Sequence, residues 1–310
     1  MLILKEISEL ANIPGPLLLA IGVFDGVHLG HQAIVKQLAQ SASEVGGTPV
    51  VATFQPHPME VLHSGNAPKL LTSLRHKASL MEKLGISYVL PIPFTKEFSE
   101  TVPESFVALL MESAPSLRAV CVGEQWRFGK GASGNVDLLR ALGKRKGFQV
   151  IGIPGVAIDG TIASSTAIRE AVENGDLLLA QKFLGRPFSV VGTVTQGAGR
   201  GRELGFPTAN FSTFGMQLPP DGVYAVEILH GENPYHGVAN LGYRPSVEPD
   251  AKQRILEAHL LNFSGNLYGC ELELIFKTFL RAEQKFATLL ELQKQITEDV
   301  RVAAKYFDQK

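Results

Sequence analysis

The sequence predicts a doubly wound α/β domain over residues 1–185, followed over residues 186–310 by a compact β-barrel with a C-terminal helix. Three observations point there. Short apolar runs first alternate with segments of helical period; past about Gly185 the chain turns into β-rich segments punctuated by Gly and Pro; the last stretch returns to helical spacing. A length of 310 residues, 45% of them hydrophobic, suits two domains with separate cores.

In the first part, residues 17–24, 49–54, 88–92, 118–122 and 148–153 read as strands buried on both faces, which favours a largely parallel sheet. Ile34 and Leu38, then Leu74, Leu80, Met81 and Leu84, mark helices between them. Ligands of such a sheet belong beyond the carboxyl ends of its strands. In the second part, residues 188–195, 222–229, 236–241, 255–263 and 271–279 read as barrel strands, with turn chemistry in Leu218-Pro219-Pro220-Asp221-Gly222. Phe286, Leu289, Leu290, Ile296, Val300 and Tyr306 give residues 283–307 the apolar stripe of a helix packed on that barrel.

Composition removes several classes. The formal net charge of -1 offers no basic field for nucleic acid or an anionic membrane. Cys121 and Cys270 stand far apart, without disulfide-framework or zinc spacing. Lys5, Glu6 and Glu9 interrupt the start, and no apolar run nears the roughly 20 residues of a membrane span. A soluble protein of the reducing cytoplasm is expected.

The first expected strand runs into Gly22-Val23-Phe24-Asp25-Gly26-Val27-His28-Leu29-Gly30-His31 and then an amphipathic helix. A glycine-rich turn at a helix start lets backbone N–H groups approach a phosphate. His28 and His31 share one helical turn, so both can address the same anion and the charge that develops as pyrophosphate leaves. A tight turn with two exposed histidines is the rival reading. Late in the same part, Ser164 or Ser165 is a candidate helix cap, and Thr166 and Arg169 add a hydroxyl and a cation suited to phosphate. Thr53-Phe54-Gln55-Pro56-His57-Pro58 and Val122-Gly123-Glu124-Gln125-Trp126-Arg127-Phe128-Gly129 end two further strands. Phe54, Trp126 and Phe128 can wall a flat ring, with His57, Gln125 and Arg127 as polar contacts, although core packing explains the same aromatics. Residues 130–135 read as a flexible loop that opens a helix.

In the second part, the run from Gly197 to Gly205 carries Arg200 and Arg202 and can wrap phosphates. Phe206-Pro207-Thr208-Ala209-Asn210 follows, and Thr208 and Asn210 share a face if extended, where their neutral oxygens can join ATP phosphates around Mg²⁺. Turn chemistry explains the same residues. In Ile255-Leu256-Glu257-Ala258-His259-Leu260, alternation puts Glu257 and His259 opposite Leu256 and Leu260, and Glu257 is a candidate proton acceptor for an attacking alcohol.

Together these ordered blocks resemble the bacterial bifunctional riboflavin kinase/FMN adenylyltransferase (FAD synthetase) family over nearly the whole chain. The resemblance implies a Rossmann-like nucleotidylyl transferase domain and a six-stranded flavokinase barrel. It implies ATP-dependent phosphorylation of riboflavin to FMN and adenylylation of FMN to FAD, with ATP and Mg²⁺ as cofactors and riboflavin, FMN, FAD and ATP as small-molecule ligands. On matching positions it implies that His28, His31 and Arg169 serve adenylyl transfer and Glu257 the kinase. Nucleotide contacts then fall at Gly22, Phe24, Asp25, Gly26, Ser164, Ser165, Thr166, Gly205, Pro207, Thr208 and Asn210. Flavin contacts fall at Phe54, Pro56, His57, Gln125 and Phe128, and metal contacts at Thr208 and Asn210.

Some positions depart from the family pattern. Val23 stands where an Asn is usual, Gln125-Trp126 replaces an Asp- or Asn-Phe pair, and Ala132 stands where Arg is common. Ser246 and Asn262 replace Thr and Asp while keeping hydrogen-bonding capacity. A working kinase beside a weakened N-terminal site, and a non-catalytic flavin or nucleotide sensor, are the competing readings.

Overall fold

A computed structural model describes residues 1–63, 65–197, 201, 204–243 and 254–309. Arg200, Arg202 and Ser246, singled out above, lie outside the described residues. The chain divides into two compact units, Met1–Ser165 and Thr166–Lys310.

In the first unit, β1 (Leu2–Ile3) and β2 (Leu17–Ile21) lead to α1 (Leu29–Glu44), β3 (Thr48–Gln55), α2 (Pro58–Leu62) and α3 (Leu74–Glu82). Then come β4 (Tyr88–Pro93), α4 (Lys96–Ser99), α5 (Pro103–Ser113), β5 (Leu117–Gly123), α6 (Val136–Lys146) and β6 (Gln149–Ile153). A short antiparallel pair, β7 (Ala157–Ile158) and β8 (Thr161–Ile162), follows. The sheet order is β1-β4-β3-β2-β5-β6, every pairing parallel.

Both faces of this sheet are covered, as the continuous apolar runs require. Along β2, Leu17, Leu19 and Ile21 enter one core with Phe106 and Leu110 of α5, while Leu18 and Ala20 enter a second with Ile34, Val35 and Leu38 of α1. From β2 the chain steps to β3 and β4 on one side and returns to β5 and β6 on the other. The carboxyl end of β2 is therefore the switch point at which doubly wound sheets bind ligands.

The division falls just inside α7 (Ser165–Glu173), and the second unit continues with α8 (Leu177–Leu184). Its barrel comprises β9 (Ser189–Thr195), β10 (Ala209–Ser212), β11 (Gly222–His230), β12 (Asn233–Tyr243), β13 (Arg254–Leu260) and β14 (Glu271–Arg281). The strands close in the order β10-β13-β12-β11-β14-β9, all antiparallel. Leu256, Ala258 and Leu260 of β13 are buried, which leaves Glu257 and His259 on the other face as alternation predicts. The final helix, α9 (Leu289–Asp308), lays Val300, Ala303, Tyr306 and Phe307 against Val223 and Val238 of the barrel wall.

Four details differ from the expectations. The first strand stops at Ile21 because the next turn needs left-handed backbone, with Phe24 at φ 51. The strand expected over 255–263 ends at Leu260, shortly before Asn262 at φ 56. Residues 209–212, which begin inside the segment open to turn chemistry, form β10, held extended by pairing with β13 on one side and β9 on the other. The last helix starts at Leu289 rather than near residue 283, since Thr288 caps it by accepting a 3.2 Å bond from the Glu291 N–H.

Candidate active sites

Beyond β2 the chain makes a tight turn over residues 22–28 in which Phe24 (φ 51), Gly26 (φ 82) and Val27 (φ 44) are left-handed. Two of these carry a Cβ, and such conformations persist only when surrounding contacts hold them. The contacts are abundant. Asp25, 2% exposed, accepts from the Leu71 N–H at 3.1 Å, the Thr72 N–H at 3.0 Å and the Thr72 hydroxyl at 3.1 Å. Thr72 Oγ1 in turn accepts from the Gly26 N–H at 2.9 Å. The Val23 carbonyl accepts from Thr53 Oγ1 at 2.8 Å and from Lys77 Nζ at 2.6 Å. Ser165 Oγ donates to the Asp25 carbonyl at 2.9 Å, and Gln32 Nε2 to the Val27 carbonyl at 2.9 Å.

This turn delivers His28 to the N-cap of α1 and His31 to its first turn, with the two imidazoles stacked at a centroid distance of 3.6 Å. Gly30 makes the stacking feasible, because a Cβ there would lie 3.1 Å from the His28 ring. Burial, then His28, then Lys77 hold His31 well below the ordinary histidine value, so its ring is neutral. The His31 Nδ1 is buried without a hydrogen-bond partner among the described residues. A neutral imidazole beside a helix N-terminus offers N–H donation to an anion.

Ser164 precedes α7 and so occupies its N-cap position; Thr166 is exposed and Arg169 half-buried on that helix. The residues expected around a flat ring separate into two groups. Phe54 and Phe128 are 9% and 7% exposed and belong to a chain of ring contacts running Phe54, Phe98, Phe106, Phe128, in which Trp126 stacks on Phe128 at 4.8 Å. Core packing thus accounts for most of their surface. Gln125 and Arg127 instead line a polar cavity of about 300 Å³ beside Asn135, the cap of α6. His57 caps α2, accepting from the Met59 N–H at 3.1 Å, with Pro56 immediately before it. The segment expected as a loop, 130–135, contains a short 3-10 turn pinned by the Lys130 N–H on the Thr101 carbonyl at 2.7 Å. Cys121 is buried, which pushes its thiol up to about 12, so no thiolate chemistry is on offer there.

In the barrel, strand register assembles the second site. Asn210 of β10 lies opposite Glu257 of β13, and Glu257 lies opposite Asn240 of β12. Directly paired residues project to the same face, so the three form one polar row. The row lines a cavity of about 360 Å³ that Thr208, His259 and, from α9, Ile296 and Asp299 also border. Asn210 is only 8% exposed, and its amide occupies the space a Cβ on Gly197 would need. His259 Nδ1 is 2.8 Å from the Pro207 carbonyl, tying the Thr208 segment to β13. Gly205, at φ 85, supplies the left-handed step into that segment.

Opposite the row, Arg281 makes a two-point ion pair with Asp299, Nε to Oδ1 at 2.8 Å and the second nitrogen to Oδ2 at 2.7 Å. Gln295 adds a 3.0 Å bond to Asp299, and the Arg281 guanidinium lies 5.9 Å from the Phe286 ring centroid. Sequence reasoning did not single out Asn240, Arg281, Asp299 or Lys77. Asn240 carried a signal, since it interrupts the apolar alternation of Val238, Ala239 and Leu241. Among the described residues no group of three His, Cys, Asp or Glu is arranged to hold a metal ion.

Comparison with known proteins covers both units. Residues 11–167 match the FAD synthetase family and residues 184–307 the riboflavin kinase family. The bifunctional riboflavin kinase/FMN adenylyltransferase of Escherichia coli (strain K12) is 37% identical over 309 residues, covering 99% of this chain and 98% of its own length. Its counterpart from Haemophilus influenzae is 38% identical over 291 residues, covering 94% of each chain. A crystal structure of a protein named macrolide-efflux protein, from Streptococcus pneumoniae, matches with a TM-score of 0.82 and 25% identity over 98% of both chains. Among the described residues of the present chain, no helix is long and apolar enough to cross a membrane.

Proposed function

This chain belongs to the bifunctional riboflavin kinase/FMN adenylyltransferase family, and from that premise we propose how its residues share the two reactions. It phosphorylates riboflavin to FMN and adenylylates FMN to FAD. We keep the working boundary between the halves at residues 185/186, within two residues of where the riboflavin kinase match begins at 184.

In the kinase half, Glu257 accepts the proton of the riboflavin 5′-hydroxyl as that oxygen attacks the γ-phosphorus of ATP and ADP leaves. Thr208 and Asn210, approached through Gly205 and Pro207, hold the nucleotide and Mg²⁺. The donor set fits this ion. Two neutral oxygens without an all-protein cage suit a metal that keeps most of its shell as water and phosphate oxygen. Mg²⁺, when bound there, offsets phosphate charge. The observation that carries this assignment is the register that sets Glu257 beside Asn210 on the wall of the 360 Å³ cavity.

In the adenylyltransferase half, the FMN phosphate attacks the α-phosphorus of ATP and pyrophosphate leaves. His28 and His31 bind the phosphates by N–H donation and stabilise the departing charge, beside the backbone of Gly22, Phe24, Asp25 and Gly26. The Asp25 carboxylate serves by bracing the turn. Ser164, Ser165, Thr166 and Arg169 complete the phosphate contacts, and the flavin contacts are assigned to Phe54, Pro56, His57, Gln125 and Phe128, of which the two phenylalanines offer only the edge that core packing leaves uncovered. A cytoplasmic location suits the two free cysteines.

Chromatographic separation of flavins tests both halves after the protein is incubated with Mg-ATP and, separately, riboflavin or FMN. FMN from the first and FAD from the second are expected. FMN alone would favour the kinase-only reading, motivated by Val23, Gln125 and Ala132; neither product would favour a sensor.

A further inference from the structure

α3 turns one lysine inward. Lys77 is 5% exposed, and its ammonium donates to the Val23 carbonyl at 2.6 Å and to Thr53 Oγ1 at 2.9 Å. Thr53 Oγ1 passes its own proton to the same carbonyl at 2.8 Å, so Lys77, Thr53 and Val23 close a small ring of hydrogen bonds. Burying an ammonium costs several kcal/mol unless its surroundings compensate. Here the compensation is aimed at one place, the backbone between the end of β2 and the left-handed Phe24. Burial opposes the charge, Asp25 in the turn supports it and the His31 imidazole lies within its electrostatic reach, with neutral Thr53 on β3 and buried His76 next to Lys77 on α3. The family-typical Asn is absent at position 23, but the clamp uses only the backbone carbonyl there, which valine retains.

We propose that Lys77 is the positioning residue of the adenylyltransferase site, locking the Val23 carbonyl so that the 22–28 turn sets His28 and His31 against the ATP phosphates. The inference rests on the assignment of FAD formation to the N-terminal domain. Burial lowers the Lys77 ammonium from 10.5 to about 8, with Asp25 opposing, so its charge is lost as pH rises through that region. The clamp on the Val23 carbonyl then weakens.

The test measures kcat and KM for FAD formation from FMN, and for FMN formation from riboflavin, across pH 6 to 10, in wild type, Lys77→Met and Lys77→Arg. Wild type is expected to lose FAD formation along a limb centred near pH 8 that FMN formation lacks. Lys77→Met is expected to lose roughly 10²-fold in kcat for FAD, as misplacement of a reacting group by about 1 Å does, with KM for FMN little changed and no limb near 8. Lys77→Arg, charged throughout, is expected to recover most of that kcat and to move the limb out of range. Unchanged FAD formation in Lys77→Met, or a limb that stays near pH 8 in Lys77→Arg, overturns the proposal. Should the methionine variant not fold, the absence of the limb from wild type overturns it equally. Wild type that makes FMN but no FAD at any pH removes the assignment on which the inference stands, an outcome distinct from the failure of Lys77.

Discussion

Asn210 and Glu257 stand directly opposite each other on neighbouring barrel strands, so the residue proposed to hold nucleotide and the residue proposed to take the proton share one rung of the ladder. Their spacing is set by backbone hydrogen bonding rather than by side-chain adaptability. Chemistry at the rung should therefore respond to changes of functional group and to changes that tilt either side chain.

Glu257→Gln keeps the shape of the row and removes the proton acceptor. FMN formation is expected to fall by roughly 10²- to 10⁴-fold in kcat. FAD formation from supplied FMN should stay within about twofold, since that step uses the other domain. Steady-state flavin chromatography reads both; loss of FAD formation alone would reverse the domain assignment.

Gly197→Ala puts a methyl where the Asn210 amide now lies. The amide must swing away, and a displaced ligand of the nucleotide is expected to cost roughly 1–3 kcal/mol of binding. A KM for ATP raised roughly 5- to 150-fold in the kinase reaction alone is the measurable result.

His28→Ala removes a donor at the phosphate site and is expected to slow FAD formation by about 10²- to 10³-fold while FMN formation is retained. Gly30→Ala should give a milder loss in the same reaction, because its methyl crowds the His28 ring at 3.1 Å. Burial keeps His31 neutral, so kcat/KM for ATP in FAD formation should show no acid limb at 6.5 from this residue. Equal loss of both products in His28→Ala would argue against independent sites.

Asp299→Asn breaks the two-point pair with Arg281 where the acid is 6% exposed, and leaves the guanidinium facing a neutral amide. About 3 kcal/mol of barrel stability is expected to be lost. Denaturant unfolding of the full chain followed by FMN formation should show the barrel melting earlier and riboflavin KM rising, because α9 borders the cavity.

How much of this was legible in the sequence depends on the range of the interaction concerned. Strands β2 to β5 announce themselves because their centres are buried on both faces and the chain there is mostly apolar. β1 spans only two residues and has no pattern to read. β10 overlaps a segment with turn-like chemistry and becomes a strand through partners 15 or more positions away, such as Thr195 and Glu257 for Asn210. His28 and His31 were readable as a pair because both lie in one helical turn, but their stacking depends on Gly30 clearing the ring. Lys77 would pass for a solvated helical lysine were it not in step with Leu74, Ala78 and Met81 on the buried face, the one trace of its inward course. The Arg281–Asp299 pair joins a strand to a helix, and nothing local in either marks the other.

The cavity beside Glu257 has α9 as one of its walls, and α9 comes after every barrel strand in the chain. The turn bearing His28 and His31 finds its bracing by Ser165. As a ribosome delivers the polypeptide, the FAD-forming machinery can therefore assemble while the FMN-forming machinery still lacks a side. Order of manufacture thus runs opposite to order of reaction.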